Sequence, residues 1–239
     1  GMLKSTYGTG CFAILNTGFE ALTSRHRLLT TVAYRLQGKT TYALEGSIFM
    51  AGASVQWLRD ELGLVDSAGE TATLAAGLDS NEGVYLVPAF TGLGAPHWQP
   101  DATGSITGLT RGSDKNHIVR AALESTAYQV KDVVDAMEVG RARSIQSIRA
   151  DGGQSDNPFV MQFQADILDR PVEVASVTET TALGAAFLAG RGVGMWKSDA
   201  EIESMWSSSA VYEPSMRESE RNSLYSGWLE ALRRTMPRI

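Results

Sequence analysis

The spacing of apolar residues changes once, near Ala51, and that change limits the chain to folds that mix sheet and helix. Before it, Cys11-Phe12-Ala13-Ile14-Leu15, residues 28–34 and Thr41-Tyr42-Ala43-Leu44 alternate as half-buried strands do, because successive side chains of an extended chain point to opposite faces. Gln37-Gly38-Lys39-Thr40 reads as the turn of a hairpin. Beyond Ala51, Val55, Leu58 and Leu62 recur at three- and four-residue steps, which predicts a helix ending at Gly63. A short helix is predicted at 71–77, then short strands at 84–87 and 104–107 among loops rich in Gly and Pro.

The clearest helix prediction covers 115–137, where Ile118, Ala121, Ala122, Ser125, Tyr128, Val133 and Met137 make one apolar or small face. A strand at 147–150, a Gly-rich turn, a helix at 158–168, a strand at 171–174 and a helix at 180–189 follow. The last helix, 218–234, places Leu224, Trp228 and Leu232 on one stripe with Tyr225 and Leu229 beside it. Three meandering strands followed by β-α alternation predict an α/β fold, a mixed sheet flanked by helices, with no linker that splits it.

Charge and composition remove several classes of function. With 27 Asp+Glu against 21 Lys+Arg, a net charge of -6 argues against nucleic acid or an acidic membrane as the partner. A single cysteine, Cys11, forms no internal bridge, which fits a reducing compartment. No apolar run reaches the roughly 18–20 residues of a membrane span, and Met2-Leu3-Lys4-Ser5-Thr6 holds no signal-peptide core. A cytoplasmic protein without membrane insertion is therefore expected.

Several motifs fail on their spacing. Gly38-Lys39-Thr40 resembles the end of a P-loop, but the glycine needed five residues earlier is Ala33, and the segment is a hairpin turn. Gly153-Gln154-Ser155 opens like a nucleophile elbow, yet its fifth position is Asn157. His26, His97 and His117 lie too far apart for a zinc site.

Three glycine-containing turns remain. In Tyr7-Gly8-Thr9-Gly10 the glycines leave the backbone amides unhindered and the Thr9 hydroxyl can donate to a phosphate oxygen; a plain β-turn explains the same residues. At Ala51-Gly52-Ala53-Ser54-Val55-Gln56 a strand meets a helix, whose N-terminus attracts anions and places Gln56 one turn on from Gly52; a small residue for helix packing is the competing explanation. In Asp151-Gly152-Gly153-Gln154-Ser155-Asp156-Asn157-Pro158, Asn157 before Pro158 is a good N-cap and can still face a ligand.

These turns belong to a longer pattern. Thr6-Tyr7-Gly8-Thr9-Gly10-Cys11-Phe12, Glu45-Gly46-Ser47-Ile48-Phe49, Val55-Gln56-Trp57-Leu58-Arg59-Asp60, Pro88-Ala89-Phe90-Thr91-Gly92-Leu93-Gly94-Ala95-Pro96, Met161-Gln162-Phe163-Gln164-Ala165-Asp166-Ile167-Leu168 and Thr178-Glu179-Thr180-Thr181-Ala182-Leu183-Gly184-Ala185-Ala186 resemble the C-terminal half of bacterial glycerol kinases. Residues 104–124, with Gly108, His117, Ala121 and Glu124, resemble a signature of the wider FGGY family of sugar kinases.

The resemblance implies an actin-like, ribonuclease H-like domain over 1–239, with a helical tail from about 198, belonging to a kinase that moves the γ-phosphoryl group of MgATP to glycerol. It matches Thr9 to a phosphate contact, Gly52 and Gln56 to nucleotide contacts, and Gly153 and Asn157 to the adenosine end of an ATP/ADP site. Phe12 matches the aromatic that packs on the carbon backbone of glycerol, with ordinary strand packing as its alternative. The Mg²⁺ ligands, the residues that hydrogen-bond glycerol and the general-base Asp are expected in an N-terminal kinase domain absent from this chain. Asp79, Asp101, Asp151 and Asp156 are read as structural or solvated, since none has the context of that base. This segment alone is then expected to bind nucleotide without phosphorylating efficiently. With its cleft face open, a homo-oligomer or loose loops at 90–102 would be unsurprising. A kinase for another polyol or ketose, or a non-catalytic nucleotide-binding module, stays open beside this reading.

Overall fold

The structure is a computed structural model that describes residues 2–139 and 145–236. Four strands come first: β1 (Leu3–Tyr7), β2 (Cys11–Gly18), β3 (Leu29–Leu36) and β4 (Lys39–Ile48). Leu36 faces Lys39 across the expected hairpin, and Gln37 (φ 49°) and Gly38 (φ 80°) both take the left-handed backbone that a two-residue type I′ turn needs. The strands do not make a simple meander, because β4 pairs with both β2 and β3 and so lies between them.

The chain continues through α1 (Gly52–Asp60), α2 (Thr71–Ala76), β5 (Tyr85–Val87), β6 (Ser105–Thr107) and α3 (Lys115–Glu138). Among the described residues, strands β5 and β6 pair only with each other, as a two-stranded ribbon. Then come β7 (Ile148–Asp151), α4 (Pro158–Leu168), β8 (Val172–Ala175), α5 (Thr180–Gly192), α6 (Asp199–Glu203), β9 (Ser208–Tyr212) and α7 (Glu218–Thr235). The main sheet has the order β3-β4-β2-β1-β7-β8-β9, with β1 antiparallel to β2 and parallel to β7. The stretch from about 198 is therefore not helical throughout: it holds β9, an edge strand, between α6 and α7, and residues 237–239 lie outside the described residues.

One face of the sheet, carrying Leu3, Tyr7, Cys11, Ala13 and Leu15, forms the core with α3, α4 and α7. Helix α3 departs from the single apolar face expected for it, because the sheet covers one side while α2, the β5–β6 ribbon and α7 cover others. Its polar residues survive burial by pairing. Arg120 Nε donates to Glu124 Oε1 at 2.7 Å, and Asp132 accepts from the Tyr225 hydroxyl at 2.6 Å and from Trp228 Nε1 at 3.0 Å. Trp228 stacks on Tyr128 with centroids 5.3 Å apart. Leu229, placed beside the α7 stripe from sequence, is 45% exposed.

The 90–102 segment is tied down rather than loose. Leu93 and Gln99 exchange two backbone hydrogen bonds, the Ala95 amide donates to the Ser47 carbonyl at 2.8 Å, and His97 Nε2 lies 3.0 Å from Asp132 Oδ2. On the opposite face of the sheet, α5 contacts Lys4 through Thr181, and Gly190 alone among its residues is buried. No helix among the described residues is long and apolar enough to cross a membrane.

Candidate functional site

The Tyr7–Gly10 turn joins β1 to β2, and its carbonyls cap the helix that follows β4. The Ala51 and Ala53 amides donate to the Thr9 carbonyl at 2.9 and 3.0 Å, and the Gly52 amide to the Gly8 carbonyl at 2.9 Å. The first amides of α1 are thus already used, which corrects the expectation of an open anion site there. A Cβ on Gly52 would stand 2.7 Å from the Gly8 carbonyl oxygen, so close backbone packing itself requires glycine.

The second turn meets the first from β7. Gly152 has φ 89°, and a Cβ there would lie 2.6 Å from the Tyr7 carbonyl oxygen. No other residue fits. At Gly153, by contrast, a Cβ would meet nothing within 4 Å, so the fold by itself makes no demand for glycine at that position. Asn157 caps α4 as expected, its side chain accepting from the Val160 amide at 3.2 Å with Pro158 in the first turn. The other end of that amide, Nδ2, donates to Thr71 Oγ1 at 3.1 Å. Thr71 closes a 3₁₀ turn over Ala68–Glu70 that opens with a capping box between Ser67 and Glu70.

The two glycine turns, α1 and the 68–72 segment enclose a cavity of about 520 Å³. Thr9, Gly52, Gln56, Gly153 and Asn157 all line it, so five of the six residues singled out from sequence converge on one site. Phe12 does not. It stands 47% exposed on the sheet face opposite the core, in register with Thr6 and Ser47. Sequence reasoning missed Arg59, Ala68, Gly69, Ala72, Gln154 and Asp156 in the same lining. The Ser67–Glu70 spacing was a usable signal for the 68–72 wall; Arg59 carried none.

The floor of the site is buried and uncharged. Tyr7 is fully buried, its hydroxyl donates to Gln164 Oε1 at 3.0 Å, and burial pushes that phenol well above its ordinary range. Gln164 in turn donates to the Ala127 carbonyl at 3.3 Å, which links the turn to α4 and α3. Burial likewise pushes the Cys11 thiol up to about 12, leaving it protonated and unsuited to nucleophilic chemistry. At the rim, Arg59 pairs with Asp60 at 2.6 Å, a solvent-exposed contact of little energetic weight. Both amide atoms of Gln154 are buried without a hydrogen-bond partner among the described residues.

Comparison with known proteins agrees with this architecture. The chain is 54% identical over 236 residues to a glycerol kinase of Dechloromonas aromatica, covering 99% of this chain and 47% of that protein. It is 56% identical over 234 residues to a glycerol kinase of Petrotoga mobilis, again covering 98% and 47%. A crystal structure of Plasmodium falciparum glycerol kinase with ADP superposes with a TM-score of 0.91 at 39% identity, over 99% of this chain and 47% of that one. The chain thus spans about half the length of the curated relatives it matches. Residues 3–193 match the C-terminal domain of the FGGY family of carbohydrate kinases, and the chain belongs to that family.

Proposed function

We propose that this chain is the nucleotide-binding part of an ATP-dependent glycerol kinase. The observation that carries the proposal is the convergence of Thr9, Gly52, Gln56, Gly153 and Asn157 on one cavity of about 520 Å³, within the usual range of small-molecule sites. In this reading the Thr9 hydroxyl meets the phosphates, Gly153 lets the nucleotide approach the backbone, and Asn157 with the 68–72 segment walls the nucleoside. Asn157 retains one amide hydrogen and one lone pair after its contacts with Thr71 and Val160, enough for a ligand as well. The exposed ring of Phe12 is the surface on which the carbon chain of glycerol would rest. Glycerol is favoured as acceptor by the identity to glycerol kinases above 50%.

The Mg²⁺ that accompanies ATP finds no ready-made donor set here. Among the described residues no three His, Cys, Asp or Glu side chains are grouped so that they could hold a metal ion, and Asp156 is the sole carboxylate in the cavity lining. We assign the metal ligands, the glycerol hydrogen bonds and the general base to the half of the relatives that this chain does not span. General-base help is worth roughly 10²- to 10⁴-fold. The chain alone should therefore bind ADP and form glycerol 3-phosphate poorly if at all. A cytoplasmic setting, where ATP is at hand and Cys11 stays reduced, suits this chemistry.

Calorimetric titration with ADP tests the site. Gly153→Val should abolish binding while leaving the circular-dichroism spectrum unchanged, because the new side chain enters space that the fold leaves open. Undiminished binding would remove Gly153 from the site, and a wild-type chain that takes up no ADP would remove the reading.

A further inference from the structure

Asp151 ends β7, is 2% exposed, and lies one residue before the Gly152 turn without lining the cavity. Its Oδ2 stands 3.0 Å from Lys4 Nζ and also accepts from the Thr180 hydroxyl. The same ammonium donates to Thr6 Oγ1 at 2.5 Å and to Thr181 Oγ1 at 3.1 Å. Next along the chain, the Gly152 amide donates to the Thr178 carbonyl at 3.3 Å. In the parallel register Lys4 and Thr6 face Arg149 and Asp151, so these contacts join β1, β7 and the start of α5 at one point. That point sits directly behind the two glycine turns.

The two turns already touch, since the Tyr7 carbonyl leaves no room for a Cβ on Gly152. Backbone contact therefore sets the smallest separation the turns can have. A tether behind them sets the largest. Lys4 is 27% exposed and can rehydrate, whereas Asp151 cannot, so the carboxylate depends on the ammonium more than the reverse.

We propose that Asp151, held by Lys4, is a positioning residue for the nucleotide cavity, fixing the separation of the Tyr7–Gly10 and Gly152–Asn157 turns and tying it to the first turn of α5. This rests on the nucleotide reading of the cavity. Neither side chain touches the ligand; both act through backbone that does.

The test is ADP titration and amide hydrogen exchange on the wild-type chain, Asp151→Asn, Lys4→Met and the double variant. Each single change should weaken ADP binding about tenfold, the scale of one charge-assisted hydrogen bond, and the double change should add little to either. Exchange should quicken at Gly152, Gly153 and residues 180–182 while the α3 and α4 amides keep their protection. Faster exchange throughout the sheet with an unaltered ADP affinity would show a merely structural pair and overturn the inference. If Asp151→Asn does not fold, Thr180→Val removes a single hydroxyl and should weaken ADP binding about threefold, half the tenfold effect on a logarithmic scale; no change there overturns the inference too. A wild-type chain that fails to bind ADP ends the nucleotide reading and this inference together, whereas binding that Asp151→Asn leaves intact ends the inference alone.

Discussion

Helix α3 carries seven Lys, Arg, Asp and Glu side chains in 24 residues and buries seventeen of its residues, whereas α5 carries a single charge, Arg191, in 13 residues and buries only Gly190. Composition alone would reverse their places. What decides burial is the cover each helix receives. The sheet, α2, the β5–β6 ribbon and α7 surround α3, and its charges pair inside that cover. One side of α5 rests on the sheet while Ala182, Ala185 and Ala186 stay exposed.

The contrast breaks most readily on the α3 side. Trp228→Ala removes the ring stacked on Tyr128 and should cost about 4 kcal/mol, lowering Tm by about 10 °C in scanning calorimetry. A loss below about 1 kcal/mol would mean that α7 contributes little to covering α3.

Glu124 gives a smaller and more diagnostic effect. Burial, opposed by Arg120, raises its carboxyl above the ordinary 4.5, so the unfolded chain ionises first as pH rises. Its contribution to stability is complete below pH 4.5 and is lost as pH climbs through the raised folded value. Glu124→Gln should lack that loss, so stability curves of the two proteins should shift in favour of the variant by about 1.4 kcal/mol per pH unit within that window. Parallel curves would show Glu124 titrating alike in both states.

On α5, Ala186→Glu should change stability by no more than about 0.5 kcal/mol, because the side chain enters solvent. Fluorescence of a bound apolar dye should fall as the exposed face is interrupted. A drop of several degrees in Tm would show that the face is covered within the chain. The smallest effect belongs to the outer side of α7, where Arg233 and Arg234 hold Glu230 down at about 2. That contribution is present above pH 4.5 and fades as pH falls toward about 2. Solvent screens the group, so Glu230→Gln should move Tm at the edge of detection, and less at high salt.

Much of this was legible in the residues and some was not. The switch of period at Ala51 placed β2, β3, β4 and α1, because side-chain period is local, and the glycine turns named five residues of the cavity lining only together with the resemblance to glycerol kinases. Strand β1 was hidden by Ser5, whose inward hydroxyl meets the Cys11 thiol at 3.1 Å and breaks the apolar alternation. Position β4 between β2 and β3 is a choice of partner, which period does not encode. The capping of α1 by Gly8 and Thr9 joins segments some forty residues apart, and the pinning of 90–102 through Ser47 and Asp132 likewise depends on distant strands and helices. The exposure of α5 follows from what its neighbours leave uncovered.

Strand β1 lies at the centre of the sheet, with β2 on one edge and β7 on the other. Residues up to Ile48 are enough to build the β3-β4-β2-β1 half, yet the second edge of β1 stays vacant until Ile148 emerges. At ribosomal rates of roughly 5–20 residues per second, the intervening hundred residues take about 5–20 s. During synthesis the middle of the finished sheet is thus an unpaired border, open to any other extended segment. The polar Lys4 and Thr6 on its outward side make a nascent chain less adhesive there until β7 closes it.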